Sequence, residues 1–198
     1  MAIDISKLAV YLLADMSGSM NDSDGRLGHA KEIGVMFANE VVEHDDDGML
    51  HFVTFGGRAK EIGSVGVEEI EKFYQNSVPS GGTPLAQALD LIYDDIQKRL
   101  TGPEAAHQLV AVITDGVPDD KRKVIDSIKR IAENVTSDDQ LAFLFIQVGN
   151  DSNAKAYLDF LDDEVQKATN GMDLIDTVHF SEVSSMTNQE LVLKAFAD

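Results

Sequence analysis

Short apolar runs alternate with segments of helical periodicity along the whole chain. The first run, residues 8–14, contains only aliphatic and aromatic side chains and is followed by Asp15. Continuous runs of this kind favour strands that are buried on both faces of a parallel sheet. The runs predict strands at residues 8–14, 49–55, 59–65, 109–114, 141–148 and 174–180. Apolar residues three and four positions apart predict helices around residues 30–41, 68–75, 85–96, 124–135, 157–165 and 188–196.

This alternation predicts an α/β fold with a mostly parallel, Rossmann-like central sheet and helices on both faces. Gly56 and Gly57 form a tight-turn signal, so residues 59–65 are expected to return as an antiparallel edge strand. The chain has 198 residues, with neither a Pro/Ser-rich linker nor an internal repeat. We therefore expect one domain over residues 1–198.

Composition and charge exclude several classes of function. The chain carries 16 Lys and Arg against 35 Asp and Glu, a formal net charge of −19, and it contains no Cys. The electrostatic field of a chain with this net negative charge repels nucleic acid and anionic lipid, so neither is expected as a partner. Thiolate zinc sites and cysteine nucleophiles are excluded, and no two His residues have the i, i+4 spacing of a helical zinc site. Without a signal-peptide pattern or an apolar run near ~20 residues, we expect a cytoplasmic protein.

Polar residues follow two of the predicted strands at the point where each strand ends. Asp15, Ser17 and Ser19 follow the first run, and Asp115 follows residues 109–114. Thr83 stands behind two glycines, where it is expected to cap the next helix. Ligands of open α/β sheets bind at the carboxyl ends of the strands, so these side chains are expected to converge. Their oxygen atoms favour Mg²⁺, or alternatively Mn²⁺ or Ca²⁺, over zinc.

These segments resemble the metal-ion-dependent adhesion site of the von Willebrand factor A (VWA) domain family. The parts are Asp15-x-Ser17-x-Ser19, Gly81-Gly-Thr83-Pro84 and Thr114-Asp115-Gly116, and their order and spacing match that family. The resemblance implies that Ser17, Ser19 and Thr83 give hydroxyl oxygens to the metal. It implies that Asp15 and Asp115 bind metal-bound waters or the hydroxyls, or ligate directly in one state.

The same resemblance implies a non-enzymatic module for protein–protein interaction. The sixth metal position would be left to an Asp or Glu side chain of a partner protein, and a shift of the last helix would couple to affinity. Stand-alone cytoplasmic VWA proteins are known in prokaryotes. Residues 10–15 and 81–85 are similar to VWA proteins linked to tellurium and toxic-cation resistance. The oligomeric state is not predicted.

A metal-dependent hydrolase or phosphatase using the same site is the alternative. Ser17 stands where an aspartyl-phosphate phosphatase would carry its second Asp, and neither a P-loop nor a G-x-S-x-G motif is present. The acidic segments 22–25 and 45–48 fail the EF-hand pattern and predict solvated turns. The negative charges of Asp119 and Asp120 are those favoured at the N-terminus of a helix. The basic residues 121–123 are typical of a solvent-exposed helix face.

Overall fold

A six-stranded sheet is the centre of the computed structural model, which describes residues 3–21, 24–44, 49–102, 107–169 and 171–196. The strands are β1 (Leu8–Asp15), β2 (Leu50–Gly56), β3 (Arg58–Val65), β4 (His107–Thr114), β5 (Leu141–Gln147) and β6 (Ile175–His179). They lie in the order β3-β2-β1-β4-β5-β6. All neighbouring pairs are parallel except β2 and β3, where Gly57 joins the paired Gly56 and Arg58. The predicted fold class and antiparallel edge strand are confirmed.

Seven α-helices cover the sheet in the described part of the chain. They are α1 (Arg26–His44), α2 (Val67–Asn76), α3 (Leu85–Thr101), α4 (Lys121–Ile131), α5 (Ser152–Ala168), α6 (Phe180–Val183) and α7 (Asn188–Lys194). Short 3₁₀ turns lie at Ile5–Lys7, Gly18–Asn21 and Ala132–Asn134. Within the described residues, no helix is long and apolar enough to span a lipid bilayer.

Alternate residues of the central strands point into two separate cores. Leu12 of β1 packs with α1, α2 and α7 on one face, whereas Tyr11 and Leu13 pack with α3, α4 and α5 on the other. This arrangement explains the continuous apolar runs, because a strand covered on both faces has no solvent-facing side. The parallel pairing of β1 with β4 places the ends of these two strands side by side.

The order of the strands creates a crevice at the carboxyl ends of β1 and β4. The chain proceeds from β1 outward to β2 and β3, and then crosses back to place β4 on the other side of β1. Connections on the two sides of this point leave in opposite directions, which is where open α/β sheets bind ligands. Asp15 ends β1, and Asp115 follows the last residue of β4.

The start of α3 corrects one prediction. Thr83 does not cap this helix. The N-cap is Pro84, no side chain makes a capping hydrogen bond there, and the helix begins at Leu85 rather than at Pro84. The Thr83 amide donates to Asp119 Oδ1, and the Thr83 carbonyl accepts from the amides of Asp119 and Leu85, so the backbone of Thr83 is held just before the helix.

Other boundaries also differ from the predictions. The strand expected at residues 174–180 ends at His179, because Phe180 begins the short helix α6 that sequence periodicity did not predict. The helix expected through residue 135 ends at Ile131 and continues as a 3₁₀ turn. The predicted acidic turns fall largely on residues 22–23 and 45–48, which lie outside the described residues.

Candidate metal centre

Asp15 is the buried anchor of the candidate centre. Its side chain is 0% exposed, and both carboxylate oxygens accept hydrogen bonds. The Ser17 amide donates to Oδ1 at 2.8 Å, and the Thr114 hydroxyl donates to Oδ2 at 2.7 Å. Burial raises the pKa of Asp15 to about 6, with a smaller contribution from the negative charge of Asp115, and these hydrogen bonds oppose the rise. A positive charge placed beside this carboxylate would therefore favour its ionised form.

A chain of hydroxyl contacts joins the two strand ends. The Oγ atoms of Ser17 and Ser19 lie 3.1 Å apart, and the Ser19 hydroxyl donates to Asp115 Oδ1 at 2.9 Å. Ser19 lies in the 3₁₀ turn Gly18–Asn21, between Ser17 before the turn and Asp115 after β4. Asp115 is 1% exposed, so its carboxylate is as deeply placed as that of Asp15.

Arg26 supplies a positive charge that sequence reasoning missed. Its Nη1 lies 2.6 Å from Asp115 Oδ2, and its Nε donates to Asp24 Oδ2 at 2.9 Å. Arg26 is the first residue of α1, where the helix dipole favours anions over cations. An Arg at the N-terminus of a predicted helix was therefore the feature of the sequence that could have indicated an acidic partner for Arg26.

The loop that carries Thr83 is bonded directly to the loop after β1. The Gly18 amide donates to the Gly81 carbonyl at 3.0 Å, and the Ser80 amide donates to the Met16 carbonyl at 2.8 Å. Gly81 has φ of +82°, and a Cβ there would lie 2.5 Å from the Cα of Gly57. Only glycine fits this position without a shift of the β2–β3 hairpin.

Asp119 is a second residue whose role sequence reasoning assigned differently. Its Oδ1 accepts a hydrogen bond from the Thr83 amide at 2.9 Å, and its own amide donates to the Thr83 carbonyl at 3.0 Å. Asp120, in contrast, is the N-cap of α4 and accepts from the Lys123 amide at 3.1 Å, as expected for a helix N-terminus. Asp119 thus fixes the Thr83 loop against the end of β4.

The structure brings four of the five predicted site residues into one hydrogen-bonded group. These are Asp15, Ser17, Ser19 and Asp115. Thr83 lies on the adjoining loop, is 9% exposed, and its hydroxyl makes no hydrogen bond to any residue that the structure describes. That hydroxyl is available to a ligand.

The donor set fits a hard divalent cation. It combines two buried carboxylates with hydroxyl oxygens, which suit Mg²⁺, Mn²⁺ or Ca²⁺. Across the described ranges, no group of three or more His, Cys, Asp or Glu side chains is placed to hold a metal. A centre here therefore depends on serine and threonine oxygens, and its ligand assignment stays a prediction.

Comparison with known proteins identifies the family. The profile of the von Willebrand factor type A domain matches residues 9–190. The chain therefore belongs to this family, which relates it to adhesion and protein-interaction proteins. The sequence resemblance to VWA domains is confirmed.

One relative and two solved structures illustrate the relationship. The thrombospondin-related anonymous protein of Plasmodium falciparum is 30% identical over 130 residues, a match that covers 61% of this chain but only 22% of that longer protein. Manganese-loaded Plasmodium vivax TRAP superposes with a TM-score of 0.67 at 17% identity, covering 98% of this chain and 74% of that one. An aerotolerance-related membrane protein from Bacteroides fragilis gives 0.64 at 18% identity, covering 93% and 98%. The two superpositions show a shared fold.

Proposed function

We propose that this chain is a metal-dependent protein–protein interaction module. Ser17, Ser19 and Thr83 would hold Mg²⁺ through their hydroxyl oxygens, with Asp15 and Asp115 as the charged partners. The bound cation would supply a point of positive charge on an acidic protein. That charge would engage an Asp or Glu side chain of a partner protein.

The hydrogen-bonded group at the ends of β1 and β4 is the observation that carries this proposal. Burying two carboxylates in one crevice is costly unless a cation compensates them. Asp15 and Asp115 interact with each other through like charges, and the pKa of Asp15 is raised in consequence of burial and of that charge. A divalent cation neutralises two carboxylates without exhausting its attraction for a third. The site is thereby suited to an acidic ligand despite a net charge of −19.

Thr83 supports the same proposal from the adjoining loop. Asp119 and the backbone contacts of Gly18 and Gly81 fix this loop against the crevice. The Thr83 hydroxyl takes no part in these contacts. The backbone hydrogen bonds of Thr83 position the residue, and its hydroxyl oxygen is available to bind a ligand.

The proposal also includes the identity of the metal ion and the cellular role of the protein. Mg²⁺ is proposed as the natural ion, with Mn²⁺ and Ca²⁺ as alternatives, because all three accept oxygen ligands. Manganese is the ion named for the Plasmodium vivax TRAP structure, which supports a divalent ion in this fold. A cytoplasmic scaffold, with a role in toxic-cation resistance, is proposed from the sequence resemblance described above.

Metal titration tests the proposal. We expect calorimetry to detect Mg²⁺ binding to the wild-type protein, and Ser19→Ala to weaken it by more than about tenfold. Ser19 is exposed, so the variant is expected to fold normally. Ser64→Ala, at an exposed serine of β3, is the matched control and should bind like wild type. Absence of binding of Mg²⁺, Mn²⁺ and Ca²⁺ to the wild type would contradict the proposal.

A partner assay and a turnover assay separate the module from the hydrolase alternative. Partner binding should be removed by EDTA, restored by Mg²⁺ and absent in Ser19→Ala. Hydrolysis of a simple phosphate ester in Mg²⁺ or Mn²⁺, abolished by Asp15→Ala, would instead show an enzyme.

A further inference from the structure

Arg26 places a guanidinium group inside the crevice proposed for the metal. Its side chain is 16% exposed, and its Nη1 lies 2.6 Å from Asp115 Oδ2. The other oxygen of Asp115 accepts from the Ser19 hydroxyl. Both oxygens of this buried carboxylate are therefore engaged by the chain itself.

The surroundings of Arg26 form a slot shaped for its side chain. Gly149, in the loop after β5, has φ of +80°, and a Cβ there would lie 2.7 Å from Arg26 Nε. The Gly149 carbonyl is bonded to His179 Nε2 at 2.8 Å, which fixes this wall of the slot. On the solvent side, Arg26 Nε donates to Asp24, whose side chain is 39% exposed.

The position of Arg26 in α1 is unfavourable for a cation. The first turn of this helix carries no acidic residue, and Arg26 begins it. The helix dipole disfavours a positive charge there. The contacts with Asp115 and Asp24 offset that penalty, so the charge is placed there for the crevice rather than for the helix.

We propose that Arg26 is a built-in counter-ion for Asp115 that a divalent cation must displace in order to bind. This inference rests on the proposed metal-dependent function. In the metal-free protein, the guanidinium compensates one of the two buried carboxylates. A divalent cation at the same carboxylates repels it, because like charges at close range in a partly buried site are unfavourable.

Asp24 would remain a partner for the Arg26 side chain after its displacement from Asp115. Arg26 bridges a buried partner and an exposed one, so an outward swing breaks the contact with Asp115 and keeps the contact with Asp24. The metal therefore competes with an internal cation, and its affinity is lower than the carboxylates alone would give. Arg26 is thus a positioning residue that sets metal affinity through Asp115.

Replacing Arg26 by Met tests the competition. Met keeps an unbranched apolar stem in the slot beside Gly149 but removes the charge. Loss of a charge-assisted hydrogen bond predicts Mg²⁺ binding about tenfold to a hundredfold tighter by calorimetry. In EDTA, the same variant should unfold at a lower temperature than wild type, since Asp115 is left uncompensated. Arg26→Lys, which keeps the charge, should fall between wild type and Arg26→Met in both measurements.

Arg99→Ala is the matched control. Arg99 pairs with Asp95 at 3.0 Å near the end of α3, away from the crevice. This variant should leave Mg²⁺ affinity unchanged. A merely structural role of Arg26 would lower stability without tightening metal binding.

The outcomes separate the inference from the proposed function. Mg²⁺ binding that is measurable in the wild type and tighter in Arg26→Met supports both. Metal binding by the wild type that is unchanged or weaker in Arg26→Met overturns the inference alone. No binding of any divalent ion by either protein overturns the proposed function as well.

Discussion

The buried carboxyl of Asp15 gives a prediction about the metal-free protein in EDTA. Its pKa is raised from 3.8 to about 6, first by burial and then by the charge of Asp115. Between these values the folded state binds more protons than the unfolded state, so stability falls as pH rises through this window. A difference of about two pH units, at about 1.4 kcal/mol each, gives a loss of at most about 3 kcal/mol.

Asp15→Asn removes this loss while keeping the shape of the side chain. The amide oxygen can still accept from the Ser17 amide, and the amide NH₂ can donate to the Thr114 hydroxyl, which can turn toward the Gly116 carbonyl. We expect the variant to be more stable than wild type at pH 8 by up to about 3 kcal/mol. At pH 4 the advantage should have disappeared.

Urea unfolding at a series of pH values between 4 and 8 in EDTA measures the effect. The difference between variant and wild type is the relevant quantity, because the other titrating groups cancel. A difference that does not change with pH would refute the reasoning. With Mg²⁺ in place of EDTA, the wild type should regain stability and Asp15→Asn should not.

Asp95→Asn is a control of opposite sign. Partial burial alone would raise the pKa of Asp95, but hydrogen bonds from Tyr11 and Arg99 hold it below its ordinary value. The folded wild type therefore gains stability above the unfolded pKa and loses it as pH falls through the lower, folded pKa. Asp95→Asn should lose stability relative to wild type as pH rises, whereas Asp15→Asn gains it.

Two other predictions concern the Thr83 loop. Gly81→Ala should destabilise the protein by more than about 1 kcal/mol in thermal unfolding, because Gly81 has a positive φ and a Cβ there would collide with the β2–β3 hairpin. Gly28→Ala, in open space on α1, is the control and should be neutral or slightly stabilising. Equal effects of the two substitutions would contradict this account. Asp119→Ala should weaken Mg²⁺ binding about tenfold or more by releasing Thr83. Asp120→Ala should lower stability slightly through a lost helix cap and leave metal affinity unchanged in calorimetry. Equal metal affinity in both Asp variants would show that the Asp119 contact does not position the loop.

Much of the fold could be predicted because its strands are continuous apolar runs. A run such as residues 109–114 has no polar face, so it predicts a strand covered on both sides. The Gly56-Gly57 pair predicted the antiparallel neighbour β3, since glycines favour a tight reversal of the chain, although Gly56 ends β2 and Gly57 alone connects the two strands. Helix α6 was missed because four residues are too few to show a helical period.

The meeting of Asp15, Ser17, Ser19 and Asp115 was also predictable, because parallel neighbours end at the same edge of a sheet. The contacts of Arg26 and Asp119 were not. Each depends on the path of a loop across the crevice, and neither spacing nor periodicity encodes that path. Asp119 and Asp120 are adjacent and chemically identical, yet one holds Thr83 and the other caps α4.

The position of the acidic residues is more informative than their number. Exposed carboxylates cost little in water, so most of the net charge of −19 requires no special explanation. Among the described Asp and Glu residues, Asp15, Glu40 and Asp115 are buried, and two of these three share one crevice. Two buried carboxylates at one point are costly in their ionised forms unless a cation or a proton compensates them. Arg26 compensates one of the two, and under the proposed function the remaining negative charge would give a divalent ion its advantage over the guanidinium at this site.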